Sequence, residues 1–368
     1  MHLFAEATTK FSLELYSQLR ESEDNIFYSP VSIMTALGML QLGAKGNTEQ
    51  QIEKVLQFNE TTKKTTEKSA ACHVSEEENV HEQFQKLMTH LNKSNDAYDL
   101  KAANSIYGAK KFQFLQTFLE DIKKYYQANV ESLDFLNAAE ESQKKINSWV
   151  ESHTNGQIKD LFPSGSLSSS TILVLVNAVY FKGQWNQKFD EKHTTEEKFW
   201  LNKDVQAKIV EIPYKGNELS MYVLLPVEID GLKKLEEQLT ADKLLEWTNT
   251  QNMHTVELYL SLPRFKVEEK YELPGPLEHM GMVDAFSPQK ADFSGMSSTP
   301  GLVVSNVLHK SFVEVNEEGT EAAAATGVEV SLTSAQKTED FCCDHPFLFF
   351  IKQCKTNSVL FFGRMSSP

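Results

Sequence analysis

An almost wholly apolar run, TILVLVNAVYF at residues 171–181, constrains the fold more than any other stretch of the chain. The run is short and rich in β-branched residues, which predicts a strand that is buried on both faces inside a large sheet. Asn177 lies within this run. Because a buried amide must be hydrogen-bonded, Asn177 predicts an internal polar cluster beside the strand.

Helical patterns dominate the first half of the chain. Phe4 lies in the first of them, and Ser32 and Thr48 are predicted to cap the second and third helices. Residues 59–80 are polar and lack apolar periodicity, which predicts a surface loop. The later helical patterns lie at 82–91, 115–126 and 138–152, and strand patterns lie between them at 100–107 and 130–135.

Strand patterns dominate beyond residue 204. They cover 205–212, 219–225 and 255–262, and an apolar hairpin joins 346–352 to 358–364, with helical patches at 231–239 and 241–247. The order of helices first and strands later predicts a mixed α+β fold with large sheets. Neither a linker nor an internal repeat divides the chain, so we expect a single domain over residues 1–368.

Charge and terminal sequence limit the partners. The net charge of −15 argues against nucleic acid or an anionic membrane as the main partner. No apolar run reaches membrane-spanning length. The N-terminal sequence MHLFAE lacks a basic region followed by an apolar core, so no cleavable signal peptide is predicted.

The sequence lacks a catalytic or metal-binding constellation. HExxH, GxSxG, GxGxxG and GxxxxGK[ST] are all absent, and the ten histidines show no metal-ligand spacing. We therefore expect neither an enzyme nor a bound metal or cofactor. The four cysteines, Cys72, Cys342, Cys343 and Cys354, form no CxxC pair, which favours free thiols in a reducing compartment. Inert thiols are favoured over nucleophiles, because no base is evident beside them.

A segment near the C-terminus, residues 317–334, carries conflicting signals. Its alanine run favours a helix by propensity. Its alternation favours a strand, because small uncharged residues such as Thr320 and Thr326 share one set and both Glu321 and Glu329 fall on the other. Glycines at 319 and 327 weaken a permanent strand. The segment can form a strand without being committed to one, and a helix end or flexible linker is the alternative.

Six separated motifs together resemble the serpin family over essentially the whole chain. They are NIFYSPVS at 25–32, LVNAVYFKGQW at 175–185, LPRFKV at 262–267, His309-Lys310, the segment 317–325, and DHPFLFF at 344–350 together with FFGR at 361–364. The long loop after Leu56, the N-terminus and the final Ser-Ser-Pro resemble the intracellular, ovalbumin-like branch (clade B). Within that branch, the sequence is most similar to the squamous cell carcinoma antigen group.

The resemblance implies three β-sheets, about nine helices and an exposed reactive loop at about 317–345. A target protease attacks this loop as a substrate and forms a covalent acyl-enzyme, after which the loop inserts into the central sheet and the protease is distorted. A protein of this kind is consumed in the reaction and is not an enzyme. The implied partner is a protease, the implied state is a monomer, and the implied location is the cytoplasm, with release outside the cell that needs no signal peptide.

The resemblance also assigns roles to individual residues. The loop hinge is assigned to Glu317, Gly319, Thr320, Ala322, Ala323, Ala324 and Ala325. A polar cluster where the central sheet parts, the shutter, is assigned to Ser29, Ser32, Asn177 and His309. The top of that sheet, the breach, is assigned to Trp185 and to an Arg264–Glu317 ion pair. Ordinary buried polar residues and a surface ion pair are the alternatives for these positions.

Counting along the loop from Gly319 places the cleaved bond at Thr333-Ser334. Papain-like cysteine proteases select an apolar residue one position before the cleaved one, and Leu332 fits that preference. Chymotrypsin-like serine proteases would instead cut after Leu332, at the Leu332-Thr333 bond. We favour a papain-like target and keep the chymotrypsin-like alternative.

The chain departs from the serpin pattern between Trp200 and Val205. Two strands of the family pattern are missing there, which amounts to roughly 20 residues. Their loss would shorten two sheets and leave unpaired edges that favour misfolding or association. A non-inhibitory or inactive binding protein with a serpin fold is therefore the alternative function.

Overall fold

The computed structural model describes residues 2–58, 79–91, 96–189, 207–249, 251–253, 258–317 and 339–367, with only the backbone at 2, 3 and 339. The described residues form nine α-helices and twelve strands. The helices are α1 (His2–Leu19), α2 (Pro30–Gly43), α3 (Gly46–Val55), α4 (Val80–Leu91), α5 (Gln116–Tyr126), α6 (Ala139–His153), α7 (Leu232–Gln238), α8 (Ala241–Trp247) and α9 (Pro274–His279).

The strands form three sheets within the described residues. They are β1 (Ile26–Tyr28), β2 (Tyr98–Ala109), β3 (Asn129–Leu133), β4 (Leu173–Gly183), β5 (Ala207–Pro213), β6 (Leu219–Pro226), β7 (Leu258–Ser261), β8 (Phe265–Glu272), β9 (Val304–Val315), β10 (Glu339–Cys342), β11 (Phe347–Gln353) and β12 (Val359–Met365). The central sheet has the order β3-β2-β4-β9-β8, the antiparallel sheet β1-β12-β11-β6-β5, and the small sheet β10-β7. The α+β class and three sheets are thus confirmed.

The apolar run that opened the sequence forms β4, in the middle of the central sheet. Every residue of β4 except Lys182 is buried, so the prediction of a strand covered on both faces is confirmed. Helix α2 packs against it. On the antiparallel sheet, Phe361 contacts the ring of Phe181 at 5.4 Å between centroids, which joins the two large sheets through one hydrophobic core.

Strand β4 pairs with its two neighbours in opposite orientations. It pairs antiparallel with β2 and parallel with β9. The parallel ladder runs from Leu173 opposite Val304 to Phe181 opposite Val313. On its other edge, β9 pairs antiparallel with β8, the strand that precedes it in the chain. The parallel ladder between β4 and β9 is therefore flanked on each side by an antiparallel one, and a second parallel ladder joins β2 to β3 at the edge of the sheet.

Both predicted helix caps are wrong, for local reasons. Helix α2 begins at Pro30, whose fixed φ and missing N–H suit a first helical position, so Ser29 is its cap. The Ser29 hydroxyl accepts from the backbone N–H of Ser32 at 3.2 Å. Helix α3 begins at Gly46, and Thr48 lies inside it. The Thr48 hydroxyl accepts from the backbone N–H of Asp292 at 3.0 Å and so holds a neighbouring loop.

Some of the remaining predictions concern residues that the structure describes, and others concern residues outside the described ranges. The hairpin near the C-terminus is confirmed as β11 and β12. Within the described residues, Cys342, Cys343 and Cys354 form no disulfide bond. Cys72, residues 59–78 of the predicted surface loop and the junction at 200–205 lie outside the described residues. No helix in the described ranges is long and apolar enough to cross a membrane. Within those ranges, no group of three or more acidic, histidine or cysteine residues is arranged to hold a metal ion.

Candidate functional site

Four of the predicted site residues meet at the middle of the central sheet. Asn177 on β4 lies directly opposite His309 on β9, and Ser29 and Ser32 reach the same point from the start of α2. All four residues are buried. The Asn177 amide nitrogen donates to the Ser32 hydroxyl at 2.5 Å and to the Ser32 carbonyl at 3.1 Å. We call this group, together with Asn104, the central polar cluster.

Asn104 is the member of this cluster that sequence reasoning missed. It lies on β2 opposite Asn177, and its side-chain oxygen accepts from the Asn177 amide nitrogen. Its own segment, KAANSIYG, carries no long apolar run to indicate burial. The residue becomes recognisable only when the register of β2 against β4 is known. The cluster therefore joins three adjacent strands of the central sheet to α2.

The hydrogen bonds of His309 fix its tautomer. A backbone N–H can only donate, so the bond from Ser29 N at 3.0 Å makes Nε2 of His309 the acceptor. Nδ1 then carries the proton and donates to the Asn177 side-chain oxygen. Burial lowers the pKa of His309 to about 3. The ring is therefore neutral, and it links β4 to β9 through side chains.

The cluster also reaches the antiparallel sheet. The Ser29 hydroxyl donates to the carbonyl oxygen of Leu360 on β12 at 2.6 Å. Nearby, the Ser311 hydroxyl on β9 donates to the carbonyl oxygen of Phe27 on β1 at 2.7 Å. These bonds connect the middle of the central sheet to the sheet packed behind it. Any movement of β9 away from β4 must break bonds in this network or move α2 with it.

The three remaining described site residues lie at one end of the central sheet. Trp185 follows β4, is buried, and stacks on Tyr214 with 4.5 Å between ring centroids. Its indole N–H donates to the carbonyl oxygen of Asn316 at 3.0 Å. The backbone N–H of Phe189 donates to the carbonyl oxygen of Glu317 at 2.8 Å. Both bonds hold the residues that follow β9 against the end of β4.

The predicted ion pair is present at this end. A guanidinium nitrogen of Arg264 lies 3.7 Å from a carboxylate oxygen of Glu317. The Arg264 side chain is 64% exposed, whereas that of Glu317 is 8% exposed. Water therefore screens the pair, which limits its contribution to stability to below about 1 kcal/mol. Its geometric effect is to fix Glu317 at the point where the chain leaves the central sheet.

Within the predicted loop at about 317–345, residues 318–338 lie outside the described part of the chain, whereas 339–342 form strand β10 rather than loop. This applies to the hinge from Gly319 to Ala325 and to Leu332, Thr333 and Ser334. The structure describes both ends of the loop: Glu317 after β9, and β10, which pairs parallel with β7. The side-chain roles of the loop thus remain predictions from the sequence.

Comparisons with known proteins bear on the whole chain. The sequence matches the family profile described as "Serpin (serine protease inhibitor)" over residues 6–368. Human Serpin B4 and human Serpin B3 are each 59% identical to it over 391 positions, covering 100% of this chain and of each relative. A crystal structure of uncleaved ovalbumin, 36% identical, matches with a TM-score of 0.85 and covers 99% of this chain and 100% of that one. The resemblance to the ovalbumin-like branch and the squamous cell carcinoma antigen group is confirmed.

The lengths of these alignments can be compared with the predicted loss of two strands. Each runs over 391 positions, 23 more than the 368 residues of this chain. At least that many positions of each relative therefore face gaps in this sequence. This length agrees with the two strands that the sequence pattern lacks.

Proposed function

Because this chain belongs to the serpin family, we propose that it is a protease inhibitor that acts as a suicide substrate, with residues 1–368 working as one domain. A nucleophile of the protease attacks the carbonyl carbon of Thr333. The amine of Ser334 leaves with a proton, and an acyl-enzyme joins Thr333 to the protease. The loop then inserts into the central sheet before water can release the enzyme. Since the inhibitor is consumed, it is not an enzyme.

The parallel ladder between β4 and β9 carries this proposal. Strand β9 leads directly into the loop, so a strand formed by the loop must run back in the opposite direction. Placed between β4 and β9, it would be antiparallel to both. One parallel ladder would be exchanged for two antiparallel ones, which pair slightly more strongly per residue. The exchange adds a fully paired strand and so provides a driving force for insertion.

The contacts around this ladder support a controlled opening. At the end where the loop would enter, Trp185 and Phe189 bind the backbone of Asn316 and Glu317. In the middle, the His309–Asn177 bond spans the two strands that must separate. We assign the breach to the first contacts and the shutter to the central polar cluster. Small uncharged residues at Thr320, Ala322 and Ala324 suit the inserted positions, because a charge there would be buried without a partner.

The target class follows from the residues around the cleaved bond. With Leu332 one position before Thr333, the loop suits a papain-like cysteine protease cutting at Thr333-Ser334. A chymotrypsin-like serine protease would cut at Leu332-Thr333. Neither position carries an arginine, which disfavours trypsin-like targets. We further propose action as a monomer in the cytoplasm and after release from the cell.

The test is incubation with one papain-like and one chymotrypsin-like protease. Samples are run on denaturing gels, and the released C-terminal peptide is weighed by mass spectrometry. We expect a complex that survives denaturation, and a peptide that begins at Ser334 for the cysteine protease. Complete cleavage of the loop without any such complex would contradict inhibition by this mechanism.

A second candidate function is non-inhibitory binding by an intact serpin fold. The 23 unmatched positions favour it, because shortened sheets could fail to support the inserted loop. This candidate predicts that both proteases cut the loop and remain fully active. The gel and residual-activity measurements therefore separate the two functions in one experiment.

A further inference from the structure

Exposed apolar side chains collect around strand β10. Within the described residues, the large apolar side chains that are most exposed are Leu136, Val227, Ile229, Tyr259 and Val283, with 37–71% of their surface in contact with solvent. Three of these five, Tyr259, Val227 and Ile229, lie in the two segments that adjoin β10 or the turn after it. Single exposed apolar residues are ordinary on a protein surface, so the feature that needs an explanation is this grouping.

Tyr259 lies on β7, the strand paired with β10. In the parallel ladder it is directly opposite Asp340. Phe341, the next residue of β10, is buried, whereas Asp340 is exposed and Tyr259 is 65% exposed. The small sheet therefore turns one face inward, where Phe341 joins the core, and an outer face toward solvent. The Tyr259 ring stands on this outer face, where it is available to a partner.

Val227 and Ile229 lie in the turn that follows β6. The carbonyl oxygen of Pro226, the last residue of β6, accepts from Nε2 of His345 at 2.6 Å. His345 is three residues beyond the end of β10. This bond attaches the turn with its two exposed apolar residues to the chain that leaves β10.

Further contacts fix the small sheet to the antiparallel sheet. Lys208 on β5 is opposite Leu225 of β6, and its ammonium donates to the carbonyl oxygen of Asp340 at 3.2 Å. The backbone N–H of Cys343 donates to the carbonyl oxygen of Ser261 on β7 at 2.8 Å. The exposed residues of β7 and of the turn after β6 are thus held on connected, ordered elements. A surface formed in advance in this way loses little conformational freedom when a partner binds.

The distance along the chain from β10 to the proposed cleavage site is short. Ser334 is five residues before Glu339, the first residue of β10. Because an extended chain spans at most about 3.6 Å per residue, the Thr333-Ser334 bond lies within about 18 Å of β10. A protease of about 220 residues has a radius of gyration of about 17 Å. When its cleft holds this bond, its body therefore extends as far as β10 and the residues beside it.

We propose that Tyr259, Val227 and Ile229 form a docking surface for the body of the target protease, outside the cleft that holds the loop. The partner is a protease with an apolar patch on the rim of its cleft. Tyrosine is one of the residue types that most often dominate the energy of protein interfaces. Contacts remote from the reacting bond raise the rate of attack by strengthening binding. This inference rests on the proposed function and adds a determinant of target choice besides Leu332.

The test measures attack on the full-length chain by the papain-like and the chymotrypsin-like protease, each in excess over the chain. Loss of the intact chain is followed on denaturing gels at rising protease concentration, and covalent complex and cleaved chain are counted together. With the papain-like protease, the double variant Tyr259→Ala and Val227→Ala should raise the half-saturating concentration about tenfold. The limiting rate should stay unchanged, because the reacting bond and its neighbours in the loop are the same.

The chain offers a matched control at two other exposed apolar residues. Val283 is 46% exposed and Val227 is 48% exposed, so Val283→Ala combined with Leu136→Ala removes similar exposed surface elsewhere. This control should keep both kinetic values, and thermal unfolding of both double variants should match that of the unmodified chain. An unchanged half-saturating concentration in the Tyr259 and Val227 variant would overturn the docking surface. A lower limiting rate or a lower unfolding temperature in that variant would assign these residues a structural role and would also overturn it.

The docking surface and the inhibitory function can fail separately in this experiment. If the loop is only cleaved and the tenfold effect is present, the docking surface is supported and inhibition is contradicted. If covalent complex forms and the two substitutions have no effect, inhibition is supported and the docking surface is contradicted. If neither protease attacks the unmodified chain, both the proposed target class and the docking surface are wrong.

Discussion

His309 and Asn177 connect two neighbouring strands by side chains at the point where their backbones are also paired. A neutral buried hydrogen bond contributes about 1 kcal/mol, but leaving its groups unsatisfied costs about 1–3 kcal/mol for each. Parting β4 from β9 must therefore break this side-chain bond in addition to the backbone ladder between the two strands. In the proposed mechanism, an inserted strand would provide new partners and offset this cost.

The neutral state of His309 predicts a specific loss of stability in acid. Its folded pKa of about 3 lies below the value of about 6.5 expected when unfolded, so the unfolded chain binds the extra proton. This contribution to stability is complete above pH 6.5 and is lost as pH falls toward 3. Between pH 7 and pH 5 we expect a loss of about 2 kcal/mol from this residue.

Urea unfolding at the two pH values measures this effect. His309→Gln removes the titrating group, so the difference between pH 7 and pH 5 should shrink by about that amount relative to the unmodified chain. His279→Gln is the matched control and should leave the difference unchanged. An unchanged pH dependence in His309→Gln would show that the ring is not held neutral.

At the scale of elements, the central feature is the position of β9. It pairs parallel with β4 on one edge and antiparallel with β8 on the other, and its end is fixed by Trp185 and Arg264. The chain leaves this strand where a returning strand could enter the parallel ladder. In the proposed mechanism, loop insertion separates β4 from β9, and the other ladders of the central sheet can be retained.

Along the predicted hinge, every second residue belongs to the set expected to be buried on insertion. This alternation predicts which positions tolerate a charge. Thr320→Arg places a charge on the set that would be buried on insertion, at a cost of several kcal/mol. Insertion should slow, so more protease escapes and the number of inhibitor molecules consumed per protease should rise severalfold. Denaturing gels and titration of residual protease activity measure this.

Glu321→Arg is the matched control, because position 321 belongs to the set expected to face solvent. It should form the covalent complex as the unmodified chain does. If both variants or neither became substrates, the assignment of buried and exposed positions in the hinge would be wrong.

The sequence predicted strand β4 from its apolar character, whereas it did not predict strand β9. Strand β4 was predicted because a short, almost wholly apolar run is expected to be buried on both faces of a sheet. Strand β9 has His309, Lys310 and Ser311 in its middle, so its pattern lacks a clean period. Asn177 was identifiable as a buried amide, but Asn104 was not, because its burial depends on strand register. The shutter and breach roles came from the resemblance alone.

At the scale of the whole molecule, one core joins helices and both large sheets. The small sheet has two strands in the described ranges, β7 and β10, and β10 lies at the C-terminal end of the predicted reactive loop. The gap of at least 23 positions relative to the relatives agrees in length with the two strands predicted to be missing between Trp200 and Val205. If the proposed inhibitory mechanism holds, we expect the balance between inhibition and simple cleavage to depend on how well the sheets support the loop.

Restoring the missing segment tests this dependence. The corresponding residues of Serpin B4, about 23 in number, would be inserted between Trp200 and Val205. We expect less self-association on size-exclusion chromatography and a larger fraction of covalent complex, because strand edges gain partners. An inserted Gly/Ser linker of equal length is the control. Equal effects of the two insertions would show that strand pairing is not the cause.

Thermal unfolding of the chain before and after cleavage of its reactive loop tests the central claim most directly. Insertion between β4 and β9 adds a fully paired strand to the sheet, so the cleaved chain should unfold at a much higher temperature than the intact one. Differential scanning calorimetry on both forms gives this comparison. An unchanged or lower unfolding temperature after complete cleavage would contradict insertion of the loop into the central sheet.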